Sequence, residues 1–372
     1  MPTSNAPPPL APPVTQPMTP IIDVHAHLIP PQLVQALRTR GSHYGVEAGG
    51  SEQAMTIRLA GSSWTKPLPL PLTRIDERIQ TMDRQGVDMQ LLSGWIDFSG
   101  YTMPLQQAIA FCELQNDTLA DVARSNPGRY LPAGTVPLQD AEVAARMLER
   151  LVKDHGMQAV QVATYFGGQR FLDDPQLDPF YAAAQELGVL LLFHPYEEQH
   201  PPGLADYFLH NCIGYPLASA IALARMLFSG TFTRFPKLLC RWPHAGGYLP
   251  YQLSRIRRAH QVRPEAKGRG FDGDVVDVLK TLYFDTVTHN PATVKFLADI
   301  VGPERLLMGS DYPFDMMEHD PVQTVRDALP EAHHDAVLGG TAARLLCRTA
   351  GCGCTSPRLF GAASTASTAT AD

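Results

Sequence analysis

The stretch Ile21-Ile22-Asp23-Val24-His25-Ala26-His27 is an apolar run that ends in two imidazoles. It predicts a short buried strand, on which side chains two residues apart point to the same face. His25 and His27 could therefore reach one metal ion at the carboxyl end of that strand. Two ordinary histidines near the start of a domain are the alternative, and the pair alone leaves the two interpretations about even.

The rest of the chain alternates apolar runs with amphipathic stretches. The predicted strands are 20–24, 87–93, 129–135, 158–163, 188–194, 237–243, 281–286 and 305–310. The predicted helices lie near 105–126, 141–155, 177–187, 216–229, 246–260, 291–301 and 333–347. Several strands, such as Val189-Leu190-Leu191-Leu192-Phe193, are apolar throughout, which is typical of strands buried on both faces of a parallel sheet. This order predicts an α/β fold, a (β/α)₈ TIM barrel, with a doubly wound sheet as the alternative.

Three segments fall outside this alternation and suggest the domain boundaries. Residues 1–19 predict a disordered proline-rich arm, because the first twenty residues hold eight prolines and no charged side chain. Residues 20–348 are expected to form the barrel, with a Gly-, Ser- and Pro-rich insertion at about 30–72 after the first strand. Residues 349–372 are mostly Ala, Ser, Thr and Gly and predict a disordered tail.

The composition limits the class of partner. The 372 residues carry a net charge of −7 and no basic cluster, which argues against nucleic acid. We expect no membrane span, because no apolar stretch approaches the roughly 20 residues that one needs. The six cysteines show no disulfide framework, so a cytoplasmic location is the default expectation.

Polar residues that end the apolar runs are the candidate site, because the active site of such a barrel lies at the carboxyl ends of its strands. His194 ends the fifth predicted strand, His244 the sixth and Asp311 the eighth. With the histidine pair of the first strand, these residues suit Zn²⁺. The fourth strand has no lysine that could bridge a second ion, so we expect one metal. Asp285 and His289 close the seventh strand and could border the site, with a role in supporting the ligands or the fold as an equal alternative.

The motifs around these residues carry a resemblance to a known family. They are Asp23-x-His25-x-His27, His194-Pro195, His244-x-Gly246-Gly247 and Gly309-Ser310-Asp311-Tyr312-Pro313. From about Ile21 to Phe314 the chain resembles the amidohydrolase superfamily. Within it, the chain is most similar to the decarboxylase-like branch, whose type member is 2-amino-3-carboxymuconate 6-semialdehyde decarboxylase.

The resemblance implies a role for each matching residue. It assigns the metal to four of them, His25, His27, His194 and Asp311. It assigns catalysis to Asp311 and to His244, which would polarise or deprotonate a metal-bound water.

Three further residues are implied in substrate binding. Arg58, in the insertion, and Arg255, eleven residues after His244, would hold carboxylates through bidentate hydrogen bonds. In this family the second arginine reaches into the site of the neighbouring subunit, which implies a homodimer. Phe208 stands where the type member has a tryptophan that lines the pocket, so we expect the pocket wall to differ.

Two functions would use this ligand set. The first hypothesis is a carboxy-lyase, a metal-dependent nonoxidative decarboxylase of a small unsaturated or aromatic carboxylic acid of the carboxymuconate-semialdehyde or hydroxybenzoate type. The alternative is a metal-dependent hydrolase of a lactone, amide or related C–O or C–N bond, in which Asp311 or His244 passes the proton to the leaving group. Zn²⁺ is the expected ion and Mn²⁺ the second choice. A non-catalytic binding barrel is disfavoured, because all five key residues are present.

Overall fold

The structure is a computed structural model that describes residues 19–51, 54–166, 170–196, 202–268 and 270–347. The sheet is an eight-stranded parallel barrel, and its strands follow one another in chain order. These strands are β1 (Ile22–His27), β4 (Met89–Ser93), β5 (Tyr130–Gly134), β6 (Ala159–Ala163), β7 (Leu190–His194), β8 (Leu239–Trp242), β9 (Tyr283–Asp285) and β10 (Leu306–Leu307). The predicted (β/α)₈ barrel and its eight strands are therefore confirmed.

Helices surround the barrel. They are α1 (Pro31–Arg40), α2 (Ile75–Gln85), α3 (Leu105–Ser125), α4 (Ala141–His155), α5 (Asp178–Leu187), α6 (Tyr215–Phe228), α7 (Thr231–Arg234), α8 (Leu249–Val262), α9 (Val275–Leu279), α10 (Pro291–Val301), α11 (Pro321–Ala328) and α12 (Thr341–Leu346). Their apolar faces pack on the outside of the strands, while a second buried cluster fills the barrel interior and is covered by α12. The carboxyl ends of the strands, where the candidate site lies, are therefore supported by a packed core that fills the barrel towards the amino ends.

The barrel closes at a seam between its first and last strands. The amide of Val24 donates to the carbonyl of Met308 at 2.9 Å, and the amide of Asp311 donates to the carbonyl of His25 at 2.7 Å. The amide of His27 donates to the carbonyl of Tyr312 at 2.8 Å. These bonds continue the seam beyond the end of β10, to the level of the candidate site.

Some helices differ from the sequence prediction. The predicted helix 333–347 is a 3₁₀ turn at Glu331–His333, a π turn at Ala336–Gly340 and the short α12. Gly339 explains part of this break, since a Cβ there would lie 1.8 Å from the carbonyl oxygen of Pro20. Helix α2 was not among the predicted helices.

The insertion predicted at about 30–72 has regular structure within its described residues. It contains α1 and an antiparallel hairpin of β2 (Val46–Gly50) and β3 (Met55–Leu59). A separate buried cluster, which includes Leu33 and Ile57, packs it against Phe98 and Phe111. The predicted arm lies outside the described residues, apart from Thr19, and so does the predicted tail.

One helical stretch departs from the expectation that no segment could span a membrane. Residues His210–Phe228, which include α6, are long and apolar enough by length and composition. A single such helix is weak evidence, and this one packs against α7 and α8 in the outer ring of the barrel. Cys112, Cys212 and Cys240 are free thiols, whereas Cys347 is disulfide-bonded. The cytoplasmic location stays a prediction.

Candidate active site

Four predicted ligands meet at the carboxyl end of the barrel. They are His25, His27, His194 and Asp311, and their ligand atoms all lie within 4.8 Å of one another. All four residues are buried. The carboxylate Oδ1 of Asp311 lies 3.4 Å from Nε2 of His25 and 3.3 Å from Nε2 of His27. Three imidazoles and one carboxylate at this spacing form a site for one divalent cation.

The three imidazoles are held so that Nε2 faces the centre. Nδ1 of His25 lies 2.7 Å from Oδ2 of Asp285, Nδ1 of His27 lies 3.0 Å from the Gly94 carbonyl, and Nδ1 of His194 lies 2.9 Å from its neighbour's carbonyl. An imidazole that donates through Nδ1 leaves Nε2 as a lone-pair donor, which is the usual arrangement of metal-bound histidine. All three Nε2 atoms are buried without a hydrogen-bond partner. Buried polar atoms of this kind need a partner, and a metal ion would provide it.

Burial also favours the neutral imidazoles that a metal requires. It lowers the pKa of His25 to about 4, helped by the nearby Arg241 guanidinium. It lowers the pKa of His194 well below the usual value, and the neighbouring histidines act in the same direction. Neutral histidine and ionised carboxylate are the forms that bind metal, so the site is preset for ligation near neutral pH.

His244 lies beside the ligand group rather than within it. Its Nε2 is 3.5 Å from Oδ2 of Asp311, the oxygen that does not face His25 and His27. Burial opposes charge on His244, but the hydrogen bond and charge of Asp311 raise the pKa of His244 above its usual value. Burial likewise opposes charge on Asp311, but the surrounding histidines hold its pKa well below the usual range. The pair can share and pass a proton between these two atoms.

A cavity of about 390 Å³ opens beside His244 and Asp311. Three tyrosines line it, together with smaller apolar and polar groups: Tyr215, Tyr248, Tyr251, Pro216, Val287, Met316, Asn211, Thr288, Thr293 and His289. In the described part of the chain, no Arg or Lys lines this cavity. Its size suits a small, largely apolar molecule.

The sequence matches a family model over most of its length. The model, described as amidohydrolase, covers residues 22–348. The chain belongs to the amidohydrolase family. That range takes in the whole barrel and all four ligands.

Relatives of this amidohydrolase are decarboxylases. The 2-amino-3-carboxymuconate-6-semialdehyde decarboxylase of Dictyostelium discoideum is 27% identical over 87% of this chain and 91% of its own length. The 6-methylsalicylic acid decarboxylase of Penicillium expansum is 26% identical over 89% of this chain and 97% of its own. The predicted resemblance to the decarboxylase-like branch is thereby confirmed.

Solved structures share the amidohydrolase barrel. Metarhizium anisopliae IDCase, solved in apo form, has a TM-score of 0.75 and is 25% identical over 88% of this chain and 97% of that one. A 5-carboxyvanillate decarboxylase from Novosphingobium aromaticivorans has a TM-score of 0.72 and is 22% identical over 88% of this chain and 97% of that one. That second structure contains bound manganese and 3-methoxy-4-hydroxy-5-nitrobenzoic acid.

The structure does not bring the three predicted substrate residues to the described cavity wall. Arg58 lies on β3, where its guanidinium pairs with Glu47 at 2.6 Å and stacks on Trp64. Arg255 is exposed on α8, and Phe208 is 43% exposed. Their roles in substrate binding stay predictions.

Three further residues lie at the site, and the sequence drew attention to only two of them. The sequence left open whether Asp285 and His289 border the site, and the structure places Asp285 on His25 and His289 on the cavity wall. Arg241 was missed, although it is buried and donates to Oδ2 of Asp285 at 3.2 Å. A charged residue inside an apolar strand was the available signal, since such a residue needs a buried partner.

Proposed function

We propose that this amidohydrolase is a metal-dependent nonoxidative decarboxylase of a small unsaturated or aromatic carboxylic acid. The observation that carries the proposal is the buried group of three orphaned Nε2 atoms and a carboxylate, placed beside His244 at a cavity sized for one small ring. The decarboxylase relatives support the same reaction class.

Four residues would hold the metal: His25, His27, His194 and Asp311. When bound, a divalent ion supplies Lewis-acid charge for the substrate carboxylate and for the electrons left after CO₂ departs. We propose Zn²⁺, because imidazole nitrogens and a carboxylate oxygen are ligands that zinc prefers. Mn²⁺ is the alternative, and manganese is present in the related 5-carboxyvanillate decarboxylase.

His244 and Asp311 would manage the proton. Breaking the C–C bond leaves an electron pair on the substrate carbon, and that carbon must gain a proton to give the product. His244 lines the cavity and its Nε2 lies beside Oδ2 of Asp311, so it can hold a proton at Nε2 and deliver it. Oδ2 of Asp311, 3.5 Å away, stabilises the charged imidazole before that delivery.

The cavity favours an aromatic ring with a single carboxylate. Tyr215, Tyr248 and Tyr251 line the cavity with aromatic rings, which suit a planar aromatic substrate. A second carboxylate would need a cation, and none of the described lining residues is Arg or Lys. Arg58 and Arg255 are the predicted sources of such a cation. Arg58 would have to exchange its contact with Glu47 for one with substrate.

Arg255 is proposed to serve the neighbouring subunit of a homodimer. It stands on α8 one turn after Tyr251, a cavity residue that is 79% exposed. Ile213 and Ile221, just before and within α6, are also exposed large apolar side chains. A second copy covering α6 and α8 would bury this surface and complete the rim of the cavity.

Product analysis tests the reaction. The metal-loaded enzyme would be incubated in D₂O with 6-methylsalicylate, 2,6-dihydroxybenzoate and 5-carboxyvanillate, each labelled with ¹³C in the carboxyl group. We expect ¹³CO₂ and a product that carries one deuterium at the vacated carbon. A His244→Gln variant, which keeps a polar side chain without an acid–base group, is the matched control and should release none. Water addition to an ester, lactone or amide panel, with no CO₂ from any acid, would instead establish the hydrolase alternative.

A further inference from the structure

The metal ligands stand on both sides of the barrel seam. His25 and His27 belong to β1, whereas Asp311 belongs to the segment that follows β10. Asp311 has a left-handed backbone (φ 64°), which non-glycine residues adopt at a cost. The spacing of the ligands therefore depends on what ties the two sides of the seam together.

The carboxylate of Asp23 bridges the seam just below the metal site. Its Oδ1 accepts from the amides of His25 and Ser310, both at 3.0 Å. Its Oδ2 accepts from the hydroxyl of Ser310 at 2.6 Å and from Nε2 of Gln90 at 3.0 Å. Asp23 is fully buried, and all four contacts come from donors, as an ionised carboxylate requires. One side chain thus fixes the residue before Asp311 against β1.

Arg78 extends this bridge from outside the barrel. It lies on α2 and is fully buried. Its Nη1 donates to Oε1 of Gln90 at 3.0 Å, and its Nη2 donates to the backbone carbonyl of His27. Its guanidinium lies 4.6 Å from the ring centroid of Tyr312, the residue after Asp311. Arg78 therefore contacts one metal ligand directly and both sides of the seam.

We infer that Asp23, Arg78, Gln90 and Ser310, here called the seam network, are positioning residues that set the spacing of the metal ligands. Ser310 is central, because its hydroxyl donates to Asp23 and accepts from the amide of Tyr312 at 3.1 Å. The two neighbours of Asp311 are thereby held by one hydroxyl. Loosening this hold lets Asp311 move away from the histidines of β1, which weakens the metal site. The inference rests on the metal site of the proposed function and not on the reaction.

The test compares metal affinity in three variants of the full chain. Ser310→Ala removes the central hydroxyl without adding volume, and Arg78→Lys keeps the charge but loses the forked guanidinium. Ser229→Ala is the matched control, since its buried hydroxyl also makes two hydrogen bonds, at 3.2 and 2.9 Å, on the outer ring. Zn²⁺ affinity is measured by chelator competition, ligand geometry by the visible spectrum of the Co²⁺-loaded protein, and stability by the Tm of the metal-free protein.

We expect Ser310→Ala and Arg78→Lys to weaken Zn²⁺ binding about tenfold or more and to shift the Co²⁺ spectrum. Removing the groups that orient metal ligands commonly has an effect of this size. Ser229→Ala should lower Tm without either change. The inference is overturned if Ser310→Ala and Arg78→Lys lower Tm but keep the wild-type Zn²⁺ affinity and Co²⁺ spectrum. If one of the two variants does not fold, the result for the other variant is sufficient. Because no substrate is used, absence of decarboxylation would leave this result intact, whereas absence of Zn²⁺ binding by the wild-type protein would overturn both proposals.

Discussion

At the scale of single residues, the site depends on two side chains carried by left-handed backbone. His244 has φ 50° and Asp311 has φ 64°, and neither is glycine. Such conformations cost about 1–3 kcal/mol each and persist where the surroundings impose them. The amide of Asp311 is held by the carbonyl of His25, and the carbonyl of His244 accepts from the amide of Gly247 at 2.9 Å. These backbone conformations place Nε2 of His244 and Oδ2 of Asp311 beside each other at the cavity.

Two substitutions separate metal binding from proton transfer. His194→Ala removes one of four ligands, so the purified protein should lose most of its metal and all turnover. His244→Ala should keep the metal, because its Nε2 contacts only the outer oxygen of Asp311, and turnover should fall by roughly 10² to 10⁴. Metal analysis by mass spectrometry and initial rates check both results. Loss of metal from the His244 variant would show that His244 is itself a ligand.

The sequence predicts the metal ligands well and their supports poorly. The ligands end apolar strands, and strand ends of a barrel converge, so position predicts a group of five residues. The resemblance to the amidohydrolase superfamily then separated the four ligands from His244. Arg78 and Arg241 are fully buried, yet the sequence placed neither of them at the site. Their partners lie far along the chain: Arg78 contacts His27, and Arg241 contacts Asp285. Only the three-dimensional fold reveals such pairs.

At the scale of elements, α8 connects the cavity to the outer surface of the barrel. Its first turns supply Tyr251 to the cavity wall, and the next turn presents Arg255 to solvent. Arg255 does not line the cavity of its own chain. If it binds substrate, it must do so in the site of a neighbouring subunit, so α8 is the element at which to test assembly.

Mixing two impaired variants at a substrate concentration that the Arg255 variant binds poorly tests the shared site. Arg255→Ala should weaken substrate binding without changing metal content, and His244→Ala should lower turnover by the same factor of roughly 10² to 10⁴. In a mixed dimer, the subunit without Arg255 keeps His244 and receives Arg255 from its partner, so one site is whole. After subunit exchange, activity should return to about a quarter of wild type, since half of the dimers are mixed and each has one whole site.

Failure to complement has a clear meaning when native mass spectrometry shows that mixed dimers form. Arg255 would then act within its own subunit or on the surface. A chain that stays monomeric at all concentrations would reject the homodimer itself.

At the scale of the whole molecule, the barrel gathers one metal site from segments nearly 290 residues apart in the chain. His25 and Asp311 are neighbours only because the first and last strands meet at the seam. The eight strands, their order and this convergence could be predicted, because apolar runs repeat along the chain. The hairpin of the insertion and the π turn before α12 could not, because each depends on tertiary packing more than on local periodicity.

If one metal ion per chain makes this protein a decarboxylase, then CO₂ release must follow the metal content of the enzyme. The direct measurement is a titration of metal-free enzyme with Zn²⁺, and separately with Mn²⁺, while ¹³CO₂ release from the best carboxyl-labelled substrate is followed. We predict no release without metal, a linear rise as metal is added, and a plateau at one ion per chain. Release of CO₂ that does not depend on metal, or a plateau only at two ions per chain, would show that the enzyme does not work through a single metal ion.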